Sequence, residues 1–243
     1  MIIDAHAHVG HGRLKSLSAD DLLRQMDENG VDRAILCPVE EQIVAFNHEG
    51  NLFILDQVRR HPRRFTGFAV ANPWFGEIAV RELEWALGEG LRGLKLHPVY
   101  QGFPMNDAMI YPLVDVAARQ HVPVYAHCGS AHFGEPLRLV ELARHYPEVT
   151  FLMGHSSFSD FWNDLPRCHQ FAPNILFETS RNTPGNFQQI GKEIGTDFMV
   201  FGSNAPEHYY HVDMPILREM FPAADDQEKI FYSNIARALG ELA

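Results

Sequence analysis

The sequence predicts an α/β fold built as a single (β/α)8 TIM barrel, and three observations carry that prediction. Short apolar runs alternate with longer amphipathic ones along the chain, as they do in parallel α/β sheets. Eight such units fit into 243 residues, close to the roughly 250 of one closed barrel. No G-x-G-x-x-G follows the first apolar run, so the runner-up, an open doubly wound sheet, lacks its dinucleotide fingerprint.

The predicted strands run from Ile2 to Val9, Arg33 to Pro38, Phe65 to Ala71, Arg92 to His97, Val122 to His127, Val149 to His155, Asn174 to Thr179 and Phe198 to Gly202. Several are nearly continuous apolar runs, which suits strands buried on both faces. Helices fill the gaps. Ser18 is read as the N-cap of Asp20 to Glu28, and Gly30 as its stop. Glu49 to Arg60, Glu77 to Leu87, Ile110 to Gln120, Pro136 to Tyr146 and Asn186 to Ile194 carry apolar residues at helical spacing. The connection from Phe158 to Phe171 has no clear period. Asp225 to Leu239 reads as a final amphipathic helix. No linker or low-complexity segment divides residues 1–243, which are read as one domain.

Composition narrows the function. The formal net charge is −11, the opposite of the basic footprint of a nucleic-acid binder. No apolar run is long enough to span a bilayer, and the first residues lack the basic and apolar regions of a signal peptide. The three cysteines, Cys37, Cys128 and Cys168, have no metal-knuckle spacing. They point to a reduced, cytoplasmic setting. The expected partner is a small-molecule substrate. No apolar stripe identifies a subunit interface, so a homo-oligomer stays open.

Histidine carries the chemical signal. With 14 histidines in the chain, a His-x-His pair is expected by chance, so His6-Ala7-His8 alone says little. Position says more. His8, His97, His127 and His155 end predicted strands 1, 4, 5 and 6, and active sites of such barrels lie at the C-terminal ends of the strands. Strand alternation places His6 and His8 on one face, with Ala5 and Ala7 opposite, and puts Asp4 on the face of His6. Lys95 shares a face with His97. Imidazoles converging on the mouth suit a catalytic zinc site, which takes three protein ligands and keeps a position open.

Five segments occur in order: IIDAHAHVG, GLRGLKLHPVYQGF, VPVYAHCG, FLMGHSS and FGSNAPE. RFTGFAVANP and KIFYSNIARAL accompany them. Together, from Ile2 to about Leu239, the chain resembles the amidohydrolase superfamily, in its branch of small amidohydrolase-related hydrolases, lactonases and decarboxylases. The resemblance implies that His6, His8 and His127 hold one divalent metal, zinc or else manganese. It implies that His155 polarises the substrate or carries a proton. Lys95 occupies the strand where some superfamily members hold a carboxylated lysine between two metals. The resemblance also implies an aspartate at the end of the eighth strand, which binds metal and moves the proton of the attacking water.

Here that aspartate is Asn204. An amide can offer an oxygen to a metal but cannot take up a proton as a carboxylate does. Three expectations follow. The base comes from elsewhere, with His155, Lys95, Glu178 and Glu207 as candidates. Or the chemistry dispenses with the carboxylate, as decarboxylation of a small unsaturated or aromatic acid would. Or the chain binds a metal or ligand without turnover. The main expectation is hydrolysis of a small organic acid, ester, lactone or amide by a metal-activated water. His155, Asn204 and Lys95 are its catalytic candidates. His97, Tyr100, Arg181 and Glu207 are its substrate-binding candidates, on or just after strands 4, 7 and 8. Arg181 could grip a carboxylate in a forked geometry.

Overall fold

Eight parallel strands form the wall: β1 (Ile3–His8), β2 (Arg33–Cys37), β3 (Phe65–Gly67, resuming at Ala69–Val70), β4 (Leu94–Leu96), β5 (Val124–His127), β6 (Phe151–Gly154), β7 (Ile175–Glu178) and β8 (Met199–Val200). The structure is a computed structural model and describes residues 1–158 and 161–242. β1, β2 and the first half of β3 pair in that order. The second half of β3 continues through β4 to β8. At the join, Phe68 N donates to Leu36 O at 3.0 Å and Ala69 N to Gly93 O at 2.8 Å. β1 and the segment after β8 meet through Ala5 N to Phe201 O, Asn204 N to His6 O and His8 N to Ala205 O, each 2.8 Å. These bonds close the barrel. Closure removes the exposed sheet edges that parallel strands would otherwise leave.

Every predicted strand is present, trimmed at its ends where the backbone leaves the ladder. The first helix, Ala19–Asn29, is capped as read. Ser18 Oγ accepts from Asp21 N, and Gly30 takes the left-handed conformation at φ 68°. Helices Asn47–Arg60, Glu77–Gly88, Tyr111–Arg119, Pro136–His145 and Pro184–Glu193 fill their expected gaps. The unclear sixth connection holds a helix at Leu165–Phe171, and its Ser159 and Asp160 lie outside the described residues. The helix Tyr210–Met220 has no counterpart in the sequence reading, because Pro215 inside it breaks the helical signal. The predicted tail helix is three segments, Ala224–Glu228, a π turn at Lys229–Ser233 and Asn234–Ala238. In the π turn Ile230 O accepts from Phe201 N at 2.8 Å, tying the tail to the segment after β8.

Two apolar clusters result. The larger lies between the strands and the surrounding helices. The smaller fills the barrel interior with Ile3, Ala5, Ile35, Phe68, Leu152 and Val200, and the tail closes it with Ile235, Ala236 and Leu239. One expectation fails here. The β1–β2 register shifts between Asp4 and Ala7, so alternation breaks. Ala5 packs inside the barrel, whereas Ala7 packs outside. Asp4, expected on the face of His6, instead accepts from Ser203 Oγ and Tyr210 Oη, and Tyr210 belongs to the outer cluster. A bulge of this kind re-aims side chains beside active sites. Among the described residues no helix is long and apolar enough to cross a membrane.

Candidate metal centre

The strands deliver their polar side chains to one end of the barrel. His6, His8, Lys95, His97, His127, His155, Glu178 and Asn204 are all buried. Tyr125, two residues before His127 on β5, is buried among them and stacks on His6 with ring centroids 4.1 Å apart. Two glycines make the room. A Cβ at Gly154 would lie 2.6 Å from Tyr125 Oη, and one at Gly202 would lie 2.3 Å from Glu178 Oε1.

Glu178 organises two arms of hydrogen bonds. Its Oε1 accepts from Ser180 N at 2.5 Å. Its Oε2 accepts from His155 N at 2.9 Å, Tyr125 Oη at 2.7 Å and Ser180 Oγ at 2.9 Å. Each hydroxyl has one proton and has given it to Glu178, so each must accept from its other neighbour. On one arm, His6 Nδ1–H donates to Tyr125 Oη at 3.0 Å. This leaves His6 Nε2 as a lone pair, which accepts from Lys95 Nζ at 2.9 Å. On the other arm, His155 Nδ1–H donates to Ser180 Oγ at 2.7 Å. His155 Nε2 then accepts from His127 Nδ1–H at 3.1 Å, and His127 Nε2 accepts from Ser130 Oγ at 3.3 Å. His8 Nδ1–H donates to Pro38 O at 2.8 Å, since a carbonyl can only accept.

The network thus gives four imidazoles the same tautomer, with Nδ1–H tied off and an Nε2 lone pair. Fixing the far nitrogen in this way is how proteins orient histidine ligands. His97 has the opposite tautomer. Its Nδ1 accepts from Tyr100 N at 3.2 Å, so its Nε2 carries the proton and is a donor. Its ring stacks on Tyr100 and on His127, with centroids 3.8 and 3.9 Å apart.

Burial sets the charge state. His6, His8, His97, His127 and His155 all have pKa values pushed well below the usual imidazole value, first by desolvation and then by neighbouring positive charges. Burial also lowers Lys95 to about 7. Its ammonium lies 3.7 Å over the Tyr125 ring centroid. Glu178 is raised by burial, opposed by the donors that surround it.

A family profile for amidohydrolases matches residues 3–240. The chain belongs to the amidohydrolase family. A search of curated protein sequences finds no match. Solved structures of the same fold include a Staphylococcus aureus protein whose amidohydrolase name is itself provisional. It is 17% identical with TM-score 0.82, and the match covers 98% of this chain and 99% of that one. A Polaromonas dihydroxybenzoic acid decarboxylase with bound manganese and the inhibitor 2-nitroresorcinol is 18% identical with TM-score 0.78, covering 98% and 96%. A probable 2-pyrone-4,6-dicarboxylic acid hydrolase from Acinetobacter baumannii, with citric acid bound, is 17% identical with TM-score 0.71, covering 98% and 99%. At these identities the likeness establishes the fold, and function rests on the site.

The amidohydrolase family implies a divalent metal, and the residues present fit one. Four neutral imidazoles have an Nε2 lone pair, and on His6, His155 and His127 it now accepts from Lys95, His127 and Ser130, donors that a cation would displace. Asn204 adds a further donor. Its Nδ2 donates to Glu207 Oε2 at 2.6 Å, which fixes the amide so that Oδ1 is the free end. That oxygen is buried and has no hydrogen-bond partner, an arrangement that costs free energy unless a cation or donor meets it. Among the described residues, one trio has ligand atoms all within 4.8 Å of one another: His6, His155 and Glu178. Glu178 is the poor member, because its oxygens already accept four hydrogen bonds.

The sequence-derived candidates therefore gather at one end of the barrel, with His97 separated from the others by tautomer rather than by distance. Arg181 and Glu207 meet at the rim at 3.0 Å. Tyr125, Ser180 and Lys15 escaped the sequence reading. Tyr125 was detectable, since it is two residues from His127 on an alternating strand. Ser180 and Lys15 sit in loops, where no periodicity points inward.

Proposed function

We propose that the protein is a metal-dependent hydrolase of a small organic acid, ester, lactone or amide. The observation that carries this reading is the Glu178 circuit, which gives several convergent imidazoles the tautomer a metal needs. His6, His8 and His127 would hold one divalent cation, with Asn204 Oδ1 as a weak oxygen donor. Imidazole-rich sets suit zinc, and manganese is the alternative. A bound cation supplies Lewis acidity and a water that is nucleophilic near neutral pH.

His155 replaces the missing aspartate as the base. Its Nε2, which accepts from His127 Nδ1–H in this structure, takes the proton of the attacking water once substrate binding has turned it away from His127. Its Nδ1–H stays on Ser180, and Glu178 Oε2, 3.7 Å from Nδ1, stabilises the imidazolium that forms. The proton then passes to the leaving group as the C–O or C–N bond breaks. His97 donates its Nε2–H to the substrate. Tyr100, Arg181 and Glu207 line the rim and select the substrate.

Decarboxylation is the second reading, and Asn204 favours it. Loss of carbon dioxide breaks a C–C bond and needs a proton delivered to carbon, not a carboxylate base beside the metal. Elemental analysis of the purified protein, with His6→Ala/His8→Ala as control, tests both readings at once. About one equivalent of zinc or manganese, absent from the control, supports them. Product analysis on lactones, esters and aromatic acids then separates hydrolysis from decarboxylation. Lack of metal in both proteins after reloading overturns both. Asn204→Asp tests the role of the amide. A gain of turnover from an inactive parent would mean a chain that binds without catalysis, and loss of an existing activity would place the amide in the mechanism.

A further inference from the structure

At the rim, one carboxylate oxygen gathers three donors from three separate places in the barrel. Glu207 Oε2 accepts from Asn204 Nδ2 at 2.6 Å, after β8, and from Arg181 Nη1 at 3.0 Å, after β7. Lys15 Nζ, from the hairpin that follows β1, stands 3.6 Å from the same oxygen. Arg181 is held in place twice, since its guanidinium also lies 4.3 Å over the Phe158 ring centroid. Its backbone is in the left-handed region at φ 60°, a conformation that non-glycine residues retain mostly at functional sites.

Lys15 is the unusual member. Its side chain is only 6% exposed, whereas Glu207 is 34% exposed. The nearby Glu40 spends its Oε1 on the backbone N–H groups of Leu14 and Lys15. A buried ammonium is costly to desolvate, and a 3.6 Å separation is longer than a hydrogen bond. Lys15 is therefore loosely paired and aimed inward. Its positive charge reaches His6, His8, His97, His127 and His155. With Asn204 in place of a carboxylate, the imidazoles at the floor are neutral, and at the rim the cations Lys15 and Arg181 share the single carboxylate of Glu207. Displacing Glu207 would leave both cations facing the ligand, in a chain whose net charge is −11.

We propose that Lys15 and Arg181 form an anion-binding pair for a carboxylate of the substrate distant from the reacting group, with Glu207 as the internal carboxylate that substrate displaces. The inference rests on the proposed function for the reacting group, and it narrows the substrate to a dianionic acid. The substrate carboxylate takes over from Glu207 the N–H donors of Arg181 and Asn204 and the ammonium of Lys15, so that the Asn204 amide keeps its orientation, and Glu207 swings toward solvent, where it is already partly exposed.

Calorimetric binding of succinate and butyrate, which match in length and differ by one carboxylate, tests this without turnover. The measurement is made on the protein as purified and again with chelator. The wild type is expected to bind succinate about ten- to a hundredfold more tightly than butyrate, the size of one charge-assisted contact. Lys15→Met is expected to lose that preference and Lys15→Arg to keep it, with thermal unfolding confirming that each variant folds. Equal binding of the two acids by the wild type overturns the proposal, whatever the variants do. So does a preference that survives in Lys15→Met, which would leave Lys15 as a strap for its loop. If the preference is present but no reaction is found, the proposed hydrolysis fails and the anion pair stands. If neutral lactones turn over but the preference is absent, the reverse holds.

Discussion

The two ends of the barrel interior are built from one wall of strands but carry opposite chemistry. At the lower end Ile3, Ile35, Phe68, Leu152 and Val200 pack against Ile235 and Leu239 of the tail. At the upper end β1, β4, β5, β6 and β7 present His6, Lys95, Tyr125, His155 and Glu178, all buried. Among the described residues, six non-glycine residues have positive φ, and five of them, His155, Ser156, Phe158, Arg181 and Asn204, follow β6, β7 or β8 at the upper end. The lower end gains stability from apolar burial. The upper end spends part of it on desolvated polar groups and strained backbone. The separation suggests that each end can be damaged without the other.

The largest expected effect is at the lower end. Phe68→Ala should destabilise the fold by about 3–5 kcal/mol, measured by urea unfolding, while metal content per folded molecule stays unchanged. A parallel loss of metal would break the separation. Next is Glu178→Gln, which places an amide N–H₂ against donors. It should lower metal affinity about 10- to 100-fold with the fold intact. Nitrogen NMR should show His6 and His155 leaving the Nδ1–H tautomer. Unchanged tautomers would remove Glu178 from its organising role.

Gly154→Ala comes third. The new Cβ meets Tyr125 Oη, and such overpacking costs about 1–3 kcal/mol. It should also disturb the His6 arm before the His155 arm in the same NMR spectra. The smallest effect is a pH slope. Burial raises the Asp4 carboxyl from 3.8 to about 6, against the pull of its donors Ser203, His6 and Tyr210. The folded protein therefore holds this proton where the unfolded chain has released it. The Asp4 contribution is fully present below pH 3.8 and is lost as pH rises through about 6. Unfolding with chelator present should show that slope, and Asp4→Asn should flatten it.

The sequence displayed the wall of the fold and much of the site. Strands are legible because burial on both faces forces long apolar runs. The histidines are legible because four of them end such runs. The bulge between Asp4 and Ala7 is invisible, since no residue type marks it, and it overturned the expected faces of Asp4, Ala5 and Ala7. Pro215 hid a helix by looking like a stop. The tautomers were unreadable for a deeper reason. They depend on Ser180 and Pro38, which are near His155 and His8 in space but distant in sequence.

Closure by β1 and the segment after β8 has a consequence for synthesis. His6 and His8 leave the ribosome before Glu178, Ser180 and Asn204, which orient or complete the cluster. The tail that plugs the interior leaves later still. An unfinished chain thus carries a His-x-His pair without the geometry to hold a metal firmly. On the proposed function, selection of the ion would be deferred to a finished barrel, where fixed imidazoles and a single neutral amide oxygen would decide which cation stays.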